Sequence, residues 1–262
     1  MRIEERLRDS VARHGSLPAM LAGRASRSYA EFDLKSERLG RELEHHCVRA
    51  GDRVLSFLDG GWEAIVSVFA VFKAGAVLVP VEAGAAANVL VERLQATQPV
   101  AVVTQSRLGE IVAAAIAPLR SVRLVVLCGG DRSRTGGTCV SFETAVERMR
   151  RTPPLPVLGS DVDAAVLIGD EVALSHRQLL EEADSIAADC EGQALPSLST
   201  RTGLVRLLTA TSAGQTMVAP LPFARAGLGG RTGEGLFPNM APRRLGGFLD
   251  GVAAGAAPAF QR

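Results

Sequence analysis

Lysine is nearly missing from this chain of 262 residues. Two lysines, Lys35 and Lys73, stand against 27 arginines. Chemistry that depends on a Lys therefore has two candidates, and both fall in segments with ordinary helical periodicity. Cysteine is sparse as well: Cys47, Cys128, Cys139 and Cys190. No pair has Cys-x-x-Cys spacing and no His stands at a zinc-finger interval, so a metal site is not expected. Four scattered cysteines in a chain this long suit a reducing cytoplasm. A charge excess is missing too. The net charge of +1 gives no global field to recruit nucleic acid or an anionic membrane. The start, Met1-Arg2-Ile3-Glu4-Glu5-Arg6, is charged and unlike a signal peptide. Apolar runs are broken by Lys73, Glu82 or Glu92 before they reach the ~20 residues of a membrane helix. No Ser is framed as Gly-x-Ser-x-Gly, which removes the hydrolase elbow. No internal repeat is visible.

What is present reads as a folded α/β chain. Hydrophobic content of 47% with 22% charge is globular. Ile3, Leu7 and Val11 recur at helical spacing. Ser28 and Glu31 form a capping box for a helix carrying Phe32, Leu39 and Leu43. Residues 53–58 read as a strand, 62–73 as an apolar helix stopped at Gly75, and 76–81 as a buried strand ended near Pro80. Helix 88–96, strand 100–104, helix 108–119 and strand 123–128 follow. Residues 129–137 form a polar loop and 142–151 a short helix. Residues 151–156 make an extended Pro-rich linker. A strand at 163–168 precedes a helix capped by Ser175 that runs to about Cys190. The run 172–180 reads as the approach to that helix. Leu204 to Thr209 reads as a further strand. This alternation predicts mainly parallel sheets flanked by helices. The expected division is a first α/β subdomain, 1–160, and a partial second, 161–262. After about residue 210 the pattern weakens, and the tail is expected to be the least ordered part.

Several segments, in order, resemble the N-terminal lobe of the AMP-forming adenylate synthetase superfamily. That group includes acyl-CoA synthetases, peptide-synthetase adenylation domains and luciferases. The segments are Ser28-Tyr29-Ala30-Glu31-Phe32-Asp33, Gly51-Asp52-Arg53-Val54, and Phe72-Lys73-Ala74-Gly75-Ala76-Val77-Leu78-Val79-Pro80-Val81. Two more are Val91-Glu92-Arg93-Leu94 through Thr104, and Leu174-Ser175-His176-Arg177-Gln178-Leu179. Order and spacing agree over roughly residues 1 to 210. The resemblance implies ATP and Mg²⁺ as cofactors. It also implies a loop of Ser, Thr and Gly, closed by a Lys, between the strand at 163–168 and the helix after Ser175. Only Gly169, Asp170 and Glu171 stand there, and two carboxylates repel phosphate. Beyond residue 210 the likeness loosens. Ala224 stands where the family's Leu-Pro-Leu-Phe-His turn has its His. Residues 236–242 and 245–252 are similar to a later strand and helix. The Tyr-Gly-x-Thr-Glu segment, the ribose-binding Asp and the C-terminal lobe with its Lys have no counterpart, so a truncated lobe is expected.

The remaining candidates have plain readings. Lys73 is a cation at a helix end, beside the negative end of the dipole. His45 and His46 are helical neighbours about 100° apart and do not converge on a metal. His176 makes a local contact in a first helical turn. Gly227 to Gly235, with Arg231 as a minor phosphate candidate, is a surface loop. No catalytic, cofactor-binding or metal residue is assigned, and no bound cofactor is expected. The leading reading is a degenerate synthetase-like protein that does not adenylate alone and serves as a binding or assembly partner in a biosynthetic pathway. The alternatives are one subunit of a split acyl- or aminoacyl-adenylating ligase, and a gene remnant without function. A protein partner or self-association through residues 210–262 is expected, with no nucleic acid and no membrane.

Overall fold

The alternation of apolar runs and amphipathic helices closes around one large sheet. A computed structural model describes residues 1–22, 25–129, 138–147, 154–169, 172–187, 189 and 191–219. The elements in order are α1 (Ile3–His14), β1 (Pro18–Ala22), β2 (Ala25–Ser28), α2 (Tyr29–His45), β3 (Arg53–Leu58) and α3 (Trp62–Lys73). Next come β4 (Val77–Glu82), α4 (Ala87–Thr97), β5 (Ala101–Gln105), α5 (Gly109–Ile116), β6 (Leu124–Cys128), β7 (Thr138–Ser141) and α6 (Phe142–Glu147). The last are β8 (Ala164–Ile168), β9 (Val172–Ser175), α7 (His176–Ser185), α8 (Arg201–Ala213) and β10 (Met217–Val218).

Among the described residues, seven strands form one sheet in the order β7-β6-β5-β3-β4-β8-β9. Every neighbouring pair is parallel except β8 and β9. The expected mainly parallel sheet is therefore observed. It crosses residue 160, because Val166 pairs with Leu78. From β3 the chain steps to β4, then returns past β3 to β5. Right-handed crossovers thus put α3 and α4 on opposite faces of the sheet. Helix α3 is buried from Ala64 to Lys73 and packs against α2. Gly40 of α2 lies at that contact. A Cβ added there would come within 3.1 Å of the Ala70 carbonyl and 2.9 Å of Leu155 Cδ1. Gly75, at φ +68°, makes the left-handed turn from α3 into β4. The small sheet β10-β1-β2 is closed by the parallel pairs Met20↔Met217 and Leu21↔Val218.

Several expectations need correction. Leu204 to Thr209 is not a strand but the middle of α8. Thr200 caps that helix by accepting from the Gly203 N–H, and Gly214 ends it in the left-handed region. Leu204, Val205, Leu207 and Leu208 are buried, and a short apolar run of this kind fits either a strand or a buried helix. Residues 172–175 are a strand, and the helix begins only at His176. Its capping box is Ser175 and Gln178 as expected, but it stops at Ser185. Pro80 does not end β4. It pairs in register with Ser56 on β3, while the β8 ladder meets β4 only at Leu78. The missing proline N–H has no partner to lose on that side. The helix with Phe32 ends at His45 rather than fading near Gly51. Residues 210–219 continue the fold through α8 and β10, with Thr211 and Met217 buried. Residues 220–262, including the 227–235 loop and the 236–252 segments, lie outside the described residues.

Candidate functional site

In open parallel sheets, ligands bind beyond the carboxyl ends of the strands. Here that edge holds the short turn singled out in the sequence. Strands β8 and β9 form a hairpin whose last pair is Ile168↔Val172, so three residues make the whole connection. Gly169 opens it at φ +54°. Asp170 and Glu171 lie outside the described residues.

Because β8 leaves β4 after Leu78, the two strands splay, and an open groove of about 510 Å³ forms between β4, α4 and the hairpin. Its apolar lining comes from Pro80, Val81, Ala85, Val89 and Ala96. Glu82 ends β4 at the rim. Both the Ser197 and the Ser199 hydroxyls donate to its Oε2, the second at 2.5 Å. Glu92 and Arg93 line the groove from α4. The Arg93 guanidinium donates to the Leu167 carbonyl at 2.8 Å, tying α4 to the end of β8. None of these polar residues stood out as a candidate in the sequence. The position of Glu82 at the carboxyl end of a strand was the available signal.

Gly169 lines this groove, but the singled-out lysines and histidines lie elsewhere. Lys73 is buried between α3 and α2. It donates to the Asp33 carbonyl at 2.8 Å and to Asp33 Oδ1 at 2.5 Å, and lies 3.6 Å from Glu37 Oε2. It sits in a buried ion pair between the two helices. Lys35 sits on α2. The His45 and His46 rings meet edge to face at 5.3 Å, and His46 Nε2 lies 3.3 Å from Glu42. Among the described residues, no cluster of three His, Cys, Asp or Glu is placed to hold a metal. His176 makes no local polar contact. It is fully buried, its Nδ1 accepts from the Ile3 N–H at 3.4 Å, and its ring packs on Phe72. Burial, with the nearby Arg2 charge, pushes its pKa down to about 3. Glu4 Oε2 stands 3.7 Å from Nδ1, and burial raises the Glu4 pKa. Cys47, Cys128 and Cys139 are free thiols; burial pushes the Cys128 thiol up.

The family model for "AMP-binding enzyme" matches residues 7–225. The chain belongs to the AMP-binding enzyme family. Two relatives come from Streptomyces. Protein Y of Streptomyces griseus is 29% identical over 153 residues, which are 57% of this chain and 49% of that protein. Phosphinothricin tripeptide synthetase PhsC of Streptomyces viridochromogenes is 42% identical over 76 residues, 29% of this chain and 7% of PhsC. The chain thus spans about half of the one relative and a small part of the other. Among solved structures, a putative long-chain-fatty-acid CoA ligase from Rhodopseudomonas palustris superposes with TM-score 0.74 at 23% identity. The match covers 83% of this chain and 57% of that one. Coronafacic acid ligase from Pectobacterium brasiliense gives 0.73 at 14% identity, covering 84% and 45%. At these identities the likeness shows the fold: the sheet and helices are those of an AMP-binding enzyme's N-terminal part.

Proposed function

We propose that this AMP-binding-family chain does not activate a carboxylate by itself and acts as a binding or assembly component beside a synthetase. The observation that carries the reading is the β8–β9 turn. A connection of three residues offers three backbone amides at most, and no Lys follows it. Holding a polyphosphate takes several amides and cations converging on it. The groove next to the turn adds Glu82 and Glu92 instead. Each like-charge contact with phosphate at ~4 Å costs about 1 kcal/mol in water and more once desolvated. Arg93 is engaged with the Leu167 carbonyl. The stretch similar to a tripeptide synthetase supports a place beside such an assembly enzyme. Free thiols at Cys47, Cys128 and Cys139 fit a reducing, cytoplasmic setting. Among the described residues, no helix is long and apolar enough to cross a membrane.

The test is ATP–pyrophosphate exchange by the full chain against panels of amino and carboxylic acids, with calorimetric titration of ATP with and without Mg²⁺. Background exchange and no heat of binding are expected. Micromolar ATP binding or exchange by the chain alone would overturn the reading. Exchange that appears only when a second chain is added would move the protein to the split-ligase alternative.

A further inference from the structure

The groove beside the hairpin has a size, a lining and a charge of its own. Its volume of about 510 Å³ falls within the range of small-molecule sites. The floor is apolar, from Pro80, Val81, Ala85 and Val89. Among the described residues, two carboxylates, Glu82 and Glu92, line it beside one guanidinium, that of Arg93. That guanidinium already donates to the Leu167 carbonyl. Glu82 is held in place rather than swinging in solvent. Two serine hydroxyls, from Ser197 and Ser199 ahead of α8, donate to its Oε2. An apolar trough ending in an oriented carboxylate complements one ligand chemistry: an organic ammonium group on a short apolar body.

We propose that this groove binds a small primary amine, with its ammonium on Glu82 and its apolar part along Val81, Ala85 and Val89. The ammonium carries the hydrogen-bond donors that the carboxylate accepts, and charge assistance strengthens such bonds. An anion of the same shape meets two carboxylates and is refused. The proposal rests on the reading above only in taking the groove as free of polyphosphate.

The experiment titrates the full chain with phenethylammonium and, separately, with hydrocinnamate, a carboxylate of nearly the same shape. Backbone NMR shifts report the site. Phenethylammonium is expected to bind with a dissociation constant of about 1 mM near neutral pH. The shifts should centre on Val81, Glu82, Ala85 and Val89, and added salt should weaken binding. Hydrocinnamate should bind at least about tenfold more weakly. Glu82→Gln keeps an oxygen to accept from the serines and should weaken the amine about tenfold. Ala96→Phe fills the groove and should abolish binding while α4 stays folded. Equal binding of the two probes, no saturable binding of the amine, or an unchanged affinity in Glu82→Gln would overturn the proposal. ATP binding alongside intact amine binding would sink the non-adenylating reading and leave the amine site standing.

Discussion

Lys73 and His176 are both buried polar groups, and each is explained by what surrounds it. Lys73 is matched by Asp33 and Glu37 of α2, which face its ammonium. His176 is neutral because burial outweighs its charged neighbours; Glu4, 3.7 Å away, is itself pushed toward its uncharged form by burial. Arg2 further disfavours its proton, and Asp163 and Asp161 oppose that only in part. This asymmetry sets a pH dependence. The folded chain refuses the His176 proton down to about pH 3, whereas the unfolded chain takes it near the ordinary value of 6.5. Stability from this group is complete above 6.5 and falls as pH drops from there toward 3. The slope is at most about 1.4 kcal/mol per pH unit. Glu4, with its pKa raised above 4.5, acts in the opposite sense. It adds stability at low pH that is lost as pH rises through its folded value, and so offsets part of the His176 loss. Urea midpoints of the wild type should fall between about pH 6.5 and 5, and those of His176→Leu should fall less. Parallel slopes in the two proteins would remove His176 as the cause.

At the scale of elements, the contact between α2 and α3 carries the largest consequence. Helix α3 is apolar on nearly all sides because the sheet lies on one and α2 on another. The two helices approach closely at Gly40, where helix propensity alone would favour Ala by about 1 kcal/mol. A side-chain methyl at residue 40 would stand 3.1 Å from the Ala70 carbonyl, and a backbone atom has little room to give. Glycine avoids that clash. Gly40→Val is expected to lose about 1–3 kcal/mol by overpacking. Thermal and urea denaturation check it, and an unchanged midpoint would mean the helices have slack there. The same scale explains why some elements differ from their sequence pattern. An apolar run of six residues is ambiguous by itself, and α8 is settled by the Thr200 cap, the Gly214 stop and burial on the neighbouring helices. Strand β9 is only four residues, and its burial alternates weakly because nothing described pairs with its outer edge.

For the whole molecule, the surfaces that remain apolar call for a cover. Val162, just before β8, and Val172, the first residue of β9, are each 57% exposed, and Ile186 is 41% exposed just after α7. Residues 210–262 add Leu221, Phe223, Leu236, Phe237, Phe248 and Leu249 to the apolar content of the chain. We expect the full chain to self-associate, or to need a partner chain for solubility, because apolar patches of several hundred Å² favour contact. Sedimentation velocity over a range of concentrations decides it. A monomer at every concentration, with strong hydrogen-exchange protection after residue 210, would show that the chain covers its own surface.

Local order in the sequence was enough to determine most of the framework. The five strands at 53–58, 76–81, 100–104, 123–128 and 163–168 stand in one sheet because continuous apolar runs between amphipathic helices suit burial on both faces. The capping boxes at Ser28 and Ser175 were equally legible, since a cap and its partner lie three residues apart. The three-residue turn, too, was visible as a spacing between two matched flanks. Contacts across many residues were not legible. The bond from Ile3 to His176, the Lys73–Asp33 pair and the serines on Glu82 join distant segments that no local pattern connects. The groove itself exists because β8 leaves β4 after one paired residue, and only the packed sheet decides where two strands part.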